Sequence, residues 1–261
     1  MGPYYEDEQV VIYHGDCTEV LPQLSAADHI ITDPPYSEHI HTNARSGRMR
    51  AANDRGGRYG ADVRRTVELG FDHLDSELRR VCAAEFARLA ARWVLVFSDV
   101  ESDHLWRDDL TGAGLDYVRT GAWVKIGATP QFSGDRPATG FEAITIAHPK
   151  GRKKWNGGGK HAVWSYPIVL DRGRNGARLH TTQKPQELMH TLLAQFTDPG
   201  ETILDPFAGS GTTLAAARML GRKAIGIEKD EHYCEVIARR FDQGVLPLED
   251  SRASAGERLS A

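Results

Sequence analysis

The sequence lacks any apolar run near the roughly 20 residues that cross a bilayer, and it begins with an acidic, aromatic stretch. A secretory signal needs a basic start followed by an apolar segment, so we expect neither a signal peptide nor a membrane span. Cysteine is scarce too, because only three residues of this type occur, all far apart. They neither frame disulfides nor give a zinc spacing, which fits a reducing cytoplasm.

The chain has no surplus of positive charge: its net charge is −4 over 261 residues, which argues against a general nucleic-acid coat. Basic residues are nevertheless concentrated in two segments. Residues 45–65 hold seven arginines against two aspartates, and residues 150–178 hold eight basic residues against one acid. Such stripes on an acidic body are an electrostatic footprint for phosphate, although charge runs are as often merely solvated.

Short apolar segments alternate with segments of helical periodicity along most of the chain. Strands are predicted at 10–13, 29–32, 93–97, 122–126, 142–147, 202–204 and 223–227, and helices at 18–24, 77–91, 101–110, 184–196, 212–220 and 231–241. This alternation predicts an α/β fold with a mostly parallel sheet, one antiparallel strand pair and helices on both faces. Two stretches, 37–70 and 151–180, show no clear apolar periodicity and are interpreted as long functional loops.

The first motif with chemical content is a glycine-rich turn between a strand and a helix, Asp205-Pro206-Phe207-Ala208-Gly209-Ser210-Gly211-Thr212. Glycines let the backbone approach a ligand closely, and the free N–H groups that open the helix favour an anion. The turn lacks the lysine of a P-loop and the third glycine of the dinucleotide fingerprint. Glu228 ends the next strand, where an acidic residue reaches ribose hydroxyls in nucleotide-binding folds, so the pair predicts an adenosine-type cofactor.

The second motif, Asp33-Pro34-Pro35-Tyr36, also follows an apolar strand. Its prolines remove two N–H donors and stiffen the turn, which leaves a row of acceptors beside an aromatic face. Acceptors of this kind suit the exocyclic amine of a nucleobase, whose lone pair is delocalised into the ring. Holding both of its hydrogens would favour a pyramidal nitrogen and aim the lone pair at an electrophile.

Together the two motifs resemble those of the S-adenosylmethionine-dependent DNA amino-methyltransferases, which modify adenine N6 or cytosine N4. Gly15-Asp16 and Lys184-Pro185 resemble further segments of that family, which usually has Pro where Thr181 stands. The catalytic motif comes first here, as in the permuted order called the β class. The resemblance implies a circularly permuted class I methyltransferase (Rossmann-like) fold, with a single catalytic domain over residues 1–244 and a flexible tail over 245–261.

The resemblance also implies roles for individual residues. Asp33, Pro34, Pro35 and Tyr36 would be catalytic and position the target amine. S-adenosylmethionine would be bound by Asp16 at its adenine, by Glu228 at its ribose, and by Lys184, Asp205, Phe207, Ala208, Gly209, Ser210, Gly211 and Thr212. No metal is expected, because a sulfonium is already an activated methyl donor.

A base inside a duplex cannot reach such a pocket, so the target nucleotide must be flipped out. The two basic stretches are therefore interpreted as DNA-binding loops, and 151–180 as a short target-recognition segment. Predicted contacts are Arg45, Arg48, Arg50, Lys153, Lys154, Trp155, Arg172 and Arg174. DNA is the expected partner, and the resemblance adds a cognate restriction endonuclease and a second copy of the chain as candidates.

Asp at the first position of the catalytic motif is typical of N6-adenine enzymes, and Ser of N4-cytosine ones. We therefore predict a site-specific N6-adenine DNA methyltransferase, with N4-cytosine methylation as the open alternative. Methyltransferases of RNA or protein amides usually begin this motif with Asn. A non-catalytic DNA-binding module would need neither the intact acceptor row nor the intact glycine turn.

Overall fold

A computed structural model of the chain describes residues 2–35, 75–128, 130, 134–169 and 183–242. Its helices are α1 (Cys17–Val20), α2 (Ser76–Leu89), α3 (Asp103–Gly112), α4 (Gln186–Phe196), α5 (Thr212–Met219) and α6 (Glu231–Asp242). Its strands are β1 (Tyr5–Glu6), β2 (Val10–His14), β3 (His29–Thr32), β4 (Val94–Ser98), β5 (Asp116–Ile126), β6 (Phe141–His148), β7 (Val163–Pro167), β8 (Thr202–Asp205) and β9 (Lys223–Glu228). Within these described ranges, no helix is long and apolar enough to cross a membrane.

All the strands belong to one sheet, in the order β1-β2-β9-β8-β3-β4-β6-β5-β7. Strands β2, β9, β8, β3 and β4 run parallel, whereas β6 is antiparallel to both β4 and β5. The predicted mostly parallel sheet with an antiparallel pair is thereby confirmed. Central strands β3 and β4 are buried along their whole length, as parallel strands covered on both faces should be.

Side-chain alternation along β4 divides the core into two layers. Val94 and Val96 pack with the buried faces of α2 and α3, whereas Leu95 and Phe97 pack with those of α4, α5 and α6. Helix α2 begins where Asp75 accepts hydrogen bonds from the backbone N–H groups of Glu77 and Leu78, at 2.9 and 2.7 Å. Asp75 is therefore the N-cap of this helix.

Helix α4 starts two residues later than predicted, at Gln186 rather than Lys184. The physical reason is Pro185, because a proline disfavours helical backbone in the residue before it. Lys184 therefore stands outside the helix, which leaves its side chain able to reach across the edge of the sheet.

Strand β7 corrects the interpretation of residues 151–180 as a stretch without regular structure. Val163–Pro167 pairs with β5 in parallel, beginning with Ala122 opposite Val163. Trp164 is buried, whereas its neighbour Val163 is 55% exposed. The strand alternates in burial, but its exposed first residue is an apolar valine and it is only five residues long, so the sequence shows no clear alternation of apolar and polar residues.

The connections place a ligand crevice between β3 and β8. These neighbours pair in parallel, with His29 opposite Ile203. After β8 the chain runs through α5 to β9, which lies on one side of the β3–β8 pair. The strand that follows β3 in the chain is β4, which lies on the other side of the pair. Open α/β sheets bind ligands at such a switch point, outside the carboxyl ends of the strands. Asp33 follows β3 there, and Asp205 ends β8.

Candidate active site

The two aspartate turns meet through a buried hydrogen bond. The hydroxyl of Thr32 donates to Asp205 Oδ1 at 2.7 Å, and the backbone N–H of Phe207 donates to the same oxygen at 3.1 Å. Asp205 is only 3% exposed, and this burial raises its pKa although the hydrogen bonds oppose the rise. The Asp205 carboxylate therefore ties the glycine-rich turn to the strand that carries Asp33.

Only one of the two carboxylate oxygens of Asp33 is hydrogen-bonded by a described residue. Its Oδ2 accepts a hydrogen bond from Lys184 Nζ, whereas its buried Oδ1 has no hydrogen-bond partner among the described residues. Burial raises the pKa of Asp33 to about 6; the charge of Lys184 opposes this rise and that of Glu142 adds to it. A buried acceptor without a partner is costly in a folded protein, which marks Oδ1 as a place for a ligand's donor.

Lys184 lies between two carboxylates. Its Nζ is 3.2 Å from Glu142 Oε2 and 5.1 Å from the centre of the Phe97 ring. Glu142 Oε1 in turn lies 2.6 Å from Lys125 Nζ. Burial disfavours the charged form of Lys184, yet Asp33 and Glu142 together raise its pKa. The structure thus places the Lys184 side chain against Asp33, whereas the resemblance implied that it binds the cofactor.

Sequence reasoning missed Glu142 and Lys125. Glu142 is the only acid of β6, and the five residues that follow it, Ala143–Ala147, are all buried and mostly apolar. A carboxylate in such a strand needs a partner, because unpaired charges are rarely buried. That mismatch was the available signal, but it could not name the partner.

The glycine-rich turn is shaped by left-handed backbone at two positions, Gly209 with φ 51° and Gly211 with φ 79°. Gly211 caps α5 without any capping side chain, and a Cβ there would lie 2.9 Å from Ile237 Cγ1. The start of this helix therefore keeps a backbone surface that a side chain would otherwise occupy, as anion-binding helix starts require.

Glu228 holds that turn from the neighbouring strand. Its Oε2 accepts from the backbone N–H of Gly209 at 2.7 Å, and its Oε1 accepts from that of Asp230 at 2.8 Å. Burial raises the pKa of Glu228 despite these bonds. Gly226, two residues earlier, lies so close beneath the turn that a Cβ would be 2.8 Å from Leu214 Cδ2.

Asp16 stands beside Glu228 at the end of the next strand. The backbone N–H of Gly15 donates to the Glu228 carbonyl at 2.9 Å. Asp16 caps α1 by accepting from the Thr18 N–H and hydroxyl at 3.0 and 2.7 Å. Although burial opposes the effect, these bonds and the charge of Lys229 lower the pKa of Asp16. Asp16, Glu228 and Asp205 thus follow or end three adjacent strands at one edge of the sheet.

The remaining predicted residues divide into three groups. Pro34 is buried and Pro35 half-buried next to Asp33. Of the residues predicted to bind the cofactor, Phe207, Ala208 and Ser210 lie between β8 and α5, and Thr212 begins α5. Tyr36, Arg45, Arg48, Arg50, Arg172 and Arg174 lie outside the described residues, as do the whole of 37–70 and the tail.

Lys153, Lys154 and Trp155 form the third group, and the structure does not bring them to the site. Their partners lie at the amino ends of the parallel strands, on the edge of the sheet opposite Asp33. Lys153 contacts Asp116 at 2.9 Å and Lys154 contacts Asp198 at 2.6 Å. The Trp155 ring packs on the Phe196 ring at a centroid distance of 4.7 Å. Lys153 and Trp155 also line a cavity of about 500 Å³ at that edge, together with Trp93 and Phe196. Their placement does not support contact with DNA beside Asp33.

Among the described residues, no group of three or more histidine, cysteine, aspartate or glutamate side chains could hold a metal ion. Cys17, Cys82 and Cys234 are buried and form no disulfides. The chemical groups gathered at the carboxyl edge are therefore carboxylates, one buried lysine and exposed backbone.

Comparison with known proteins gives consistent findings. Residues 111–239 match the model of the DNA methylase family of N6 and N4 methyltransferases. The Type II methyltransferase M2.LlaDCHI of Lactococcus lactis subsp. cremoris is 26% identical over 256 residues, which cover 93% of each chain. The solved complex of M1.HpyAVI with SAM is 25% identical, with a TM-score of 0.63 over 89% of this chain and 100% of that one. The PvuII DNA methyltransferase, described as cytosine-N4-specific, has the same fold, with a TM-score of 0.68 at 16% identity over 92% and 89% of the two chains.

Proposed function

Since this chain is an S-adenosylmethionine-dependent DNA amino-methyltransferase of the N6-adenine/N4-cytosine family with a class I methyltransferase fold, we propose that it methylates the N6 amine of adenine in DNA. The observation that carries this proposal is Oδ1 of Asp33, a buried acceptor at the switch point of the sheet that no described residue hydrogen-bonds. It suits the N–H of an exocyclic amine that has been flipped out of the duplex.

S-adenosylmethionine, when bound, supplies a methyl group already activated by a positively charged sulfur. Three strand ends support its placement. Asp16 would meet the adenine and Glu228 the ribose hydroxyls, while Asp205 to Thr212 would surround the methionine end. The fit rests on the left-handed glycines and on the start of α5, which no side chain caps.

Asp33 would act on the target rather than on the cofactor. Its Oδ1 would accept one N–H of the amine, and a neighbouring backbone carbonyl would accept the other, so that the nitrogen lone pair points towards the methyl carbon. Lys184 favours the ionised form of Asp33 against the effect of burial. Asp33 can then offset the positive charge that develops on nitrogen during transfer.

Adenine is favoured over cytosine because Asp, not Ser, opens the catalytic motif. N4-cytosine methylation is the second candidate, and the shared fold with a cytosine-N4-specific enzyme is compatible with it. The nine-stranded sheet of the described residues supports a single catalytic domain over residues 1–244. A restriction endonuclease partner and a dimer stay predictions.

The deciding experiment incubates the protein with DNA of varied sequence and methyl-labelled S-adenosylmethionine, then separates the nucleosides by mass spectrometry. Label on N6-methyladenine supports the proposal, and label on N4-methylcytosine replaces it by the second candidate. If calorimetry confirms cofactor binding but no DNA is labelled, both candidates are wrong.

Asp33→Ala tests the role of the catalytic turn. We expect it to bind S-adenosylmethionine as the unchanged protein does but to lose turnover by about 10²- to 10³-fold, because one preorganised contact to the transition state is gone. Asp108→Ala is the matched control, since this carboxylate is 62% exposed on α3. Retained activity in Asp33→Ala would show that the catalytic turn has been misassigned.

A further inference from the structure

Glu142 carries a charge that the packing of β6 does not require. The five residues after it, Ala143–Ala147, are all buried, four of them apolar, and Glu142 itself is 7% exposed. Replacing buried ion pairs by apolar side chains is often neutral or stabilising. The stability of the fold is therefore a weak explanation for a buried carboxylate at this position. Its contacts lead directly to the catalytic turn, through Lys184 to Asp33.

The charges form a short chain of alternating sign. Asp33 and Glu142 are both in contact with Lys184, and Lys125 contacts the far oxygen of Glu142 at 2.6 Å. If Lys184 had Asp33 as its only partner, the two would form a neutral pair. With Glu142 present, the positive charge of Lys184 is shared between two carboxylates. Asp33, Lys184 and Glu142 together carry a net negative charge, and Lys125, which balances it, lies on the side of Glu142 away from Lys184.

We propose that Glu142 is a positioning residue that divides the charge of Lys184, so that Asp33 keeps a negative potential towards the target amine. This inference rests on the proposed role of Asp33 in holding that amine. As the amine nitrogen accepts the methyl group, positive charge develops on it, and an unneutralised carboxylate stabilises that charge better than a carboxylate in a neutral pair. Glu142 does not touch the substrate; it acts through its contact with Lys184 and through the effect of its charge on the pKa of Asp33.

Within the described part of the chain, the charged groups that face Asp33 come from three elements: Lys184 before α4, Glu142 on β6 and Asp205 on β8. Lys125 on β5 contacts Glu142 rather than Asp33. Burial raises the pKa of Asp33 to about 6, Lys184 opposes the rise, and Glu142 adds to it. Removing the charge of Glu142 therefore lowers the pKa of Asp33. Because only the ionised form of Asp33 serves the reaction, activity disappears as pH falls through this pKa.

The test is the pH profile of single-turnover methylation for Glu142→Gln, which keeps the shape of the side chain and removes its charge. We expect the rate above about pH 8 to fall roughly tenfold, and the acidic limb to move to lower pH by roughly one unit. S-adenosylmethionine affinity, measured by calorimetry, should stay unchanged.

Two further variants make the result specific. Glu142→Asp keeps the charge and should restore the position of the acidic limb. Lys125→Gln removes the cation on the far side of Glu142. Because a positive charge is lost, the acidic limb of this variant's pH profile should move slightly in the opposite direction, to higher pH. A slower Glu142→Gln with an unmoved limb would mean a merely structural role and overturn the proposal, as would an unchanged rate. Absence of DNA methylation by the unchanged protein would instead refute the proposed function.

Discussion

Replacing Lys184 by Met should destabilise the protein in a pH-dependent way. The side chain is 6% exposed and contacts both Asp33 and Glu142. Its loss leaves two carboxylates facing each other without the cation between them. Removing one partner from a buried ionic group costs about 3–5 kcal/mol. For a domain of this size, about 2–4 °C of melting temperature corresponds to each kcal/mol, so we expect a decrease of roughly 10 °C.

The direction of the pH effect follows from Asp33. Its pKa in the folded protein is about 6, above the ordinary 3.8. Its ionisation therefore opposes folding, with a cost that grows as pH rises from about 4 to about 6 and stays constant above. Lys184 reduces that cost by favouring the ionised form. Without Lys184 the cost is larger at pH 8, whereas near pH 5 Asp33 is protonated and much of the deficit disappears.

Thermal melts without cofactor, at about pH 8 and about pH 5, measure both effects. Lys125→Met is the matched control, because it removes the same kind of cation from the same carboxylate, Glu142. Lys125 is 24% exposed, so its loss should cost under about 1 kcal/mol. Equal deficits in the two variants, or a Lys184→Met deficit that is the same at both pH values, would refute the reasoning.

Two other substitutions probe the two edges of the sheet. Gly226→Ala should weaken S-adenosylmethionine binding roughly tenfold, because the new Cβ would lie 3.2 Å from Ala208 Cβ in the glycine-rich turn and 2.8 Å from Leu214 Cδ2 in α5. Overpacking of about 1.4 kcal/mol there displaces the turn. Gly112→Ala, where a Cβ meets nothing within 4 Å, is its control, and equal calorimetric affinities in both variants would contradict the expectation. Trp155→Ala should lower the free energy of unfolding by about 2 kcal/mol and leave DNA methylation unchanged, because its ring packs on Phe196 at the opposite edge. A selective loss of DNA affinity in this variant, measured by fluorescence anisotropy, would instead support the predicted contact of Trp155 with DNA.

The central strands and their ends could be predicted from the sequence because their signals are local. Residues 29–32 and 202–204 are short apolar runs, each followed by Asp-Pro, and both predicted strands are found in the structure. The edge strand β7 was not predicted, because Val163 on its exposed side is as apolar as the buried Trp164, so apolar and polar residues do not alternate cleanly along it. The position of Lys154 at the amino ends of the strands could not be predicted either, since it depends on contact with Asp198, 44 residues away in the sequence.

The environment of Asp33 needed the structure for the same reason. Lys184 is 151 residues from Asp33 in the sequence, and Glu142 comes from yet another strand. A basic residue beside a proline gives no sign of which carboxylate it will meet. The sequence could indicate the chemical character of the site, a row of hydrogen-bond acceptors suited to an amine, because this expectation depends only on the residues of the turn. The ionisation of Asp33, by contrast, depends on three elements that only tertiary packing brings together.

The permuted order of the motifs explains why the site can be assembled from such distant segments. Thr32 and Asp205 are 173 residues apart, yet their side chains share a hydrogen bond of 2.7 Å. Their strands are neighbours in the sheet, and the position of a strand in a sheet does not depend on whether it comes early or late in the chain. Exchanging the order of the two halves therefore changes the connections and leaves the β3–β8 edge intact. Because that bond is buried, separating the catalytic turn from the cofactor turn would leave a polar group without a partner. The two turns must consequently act as one rigid unit, whichever of them the chain forms first.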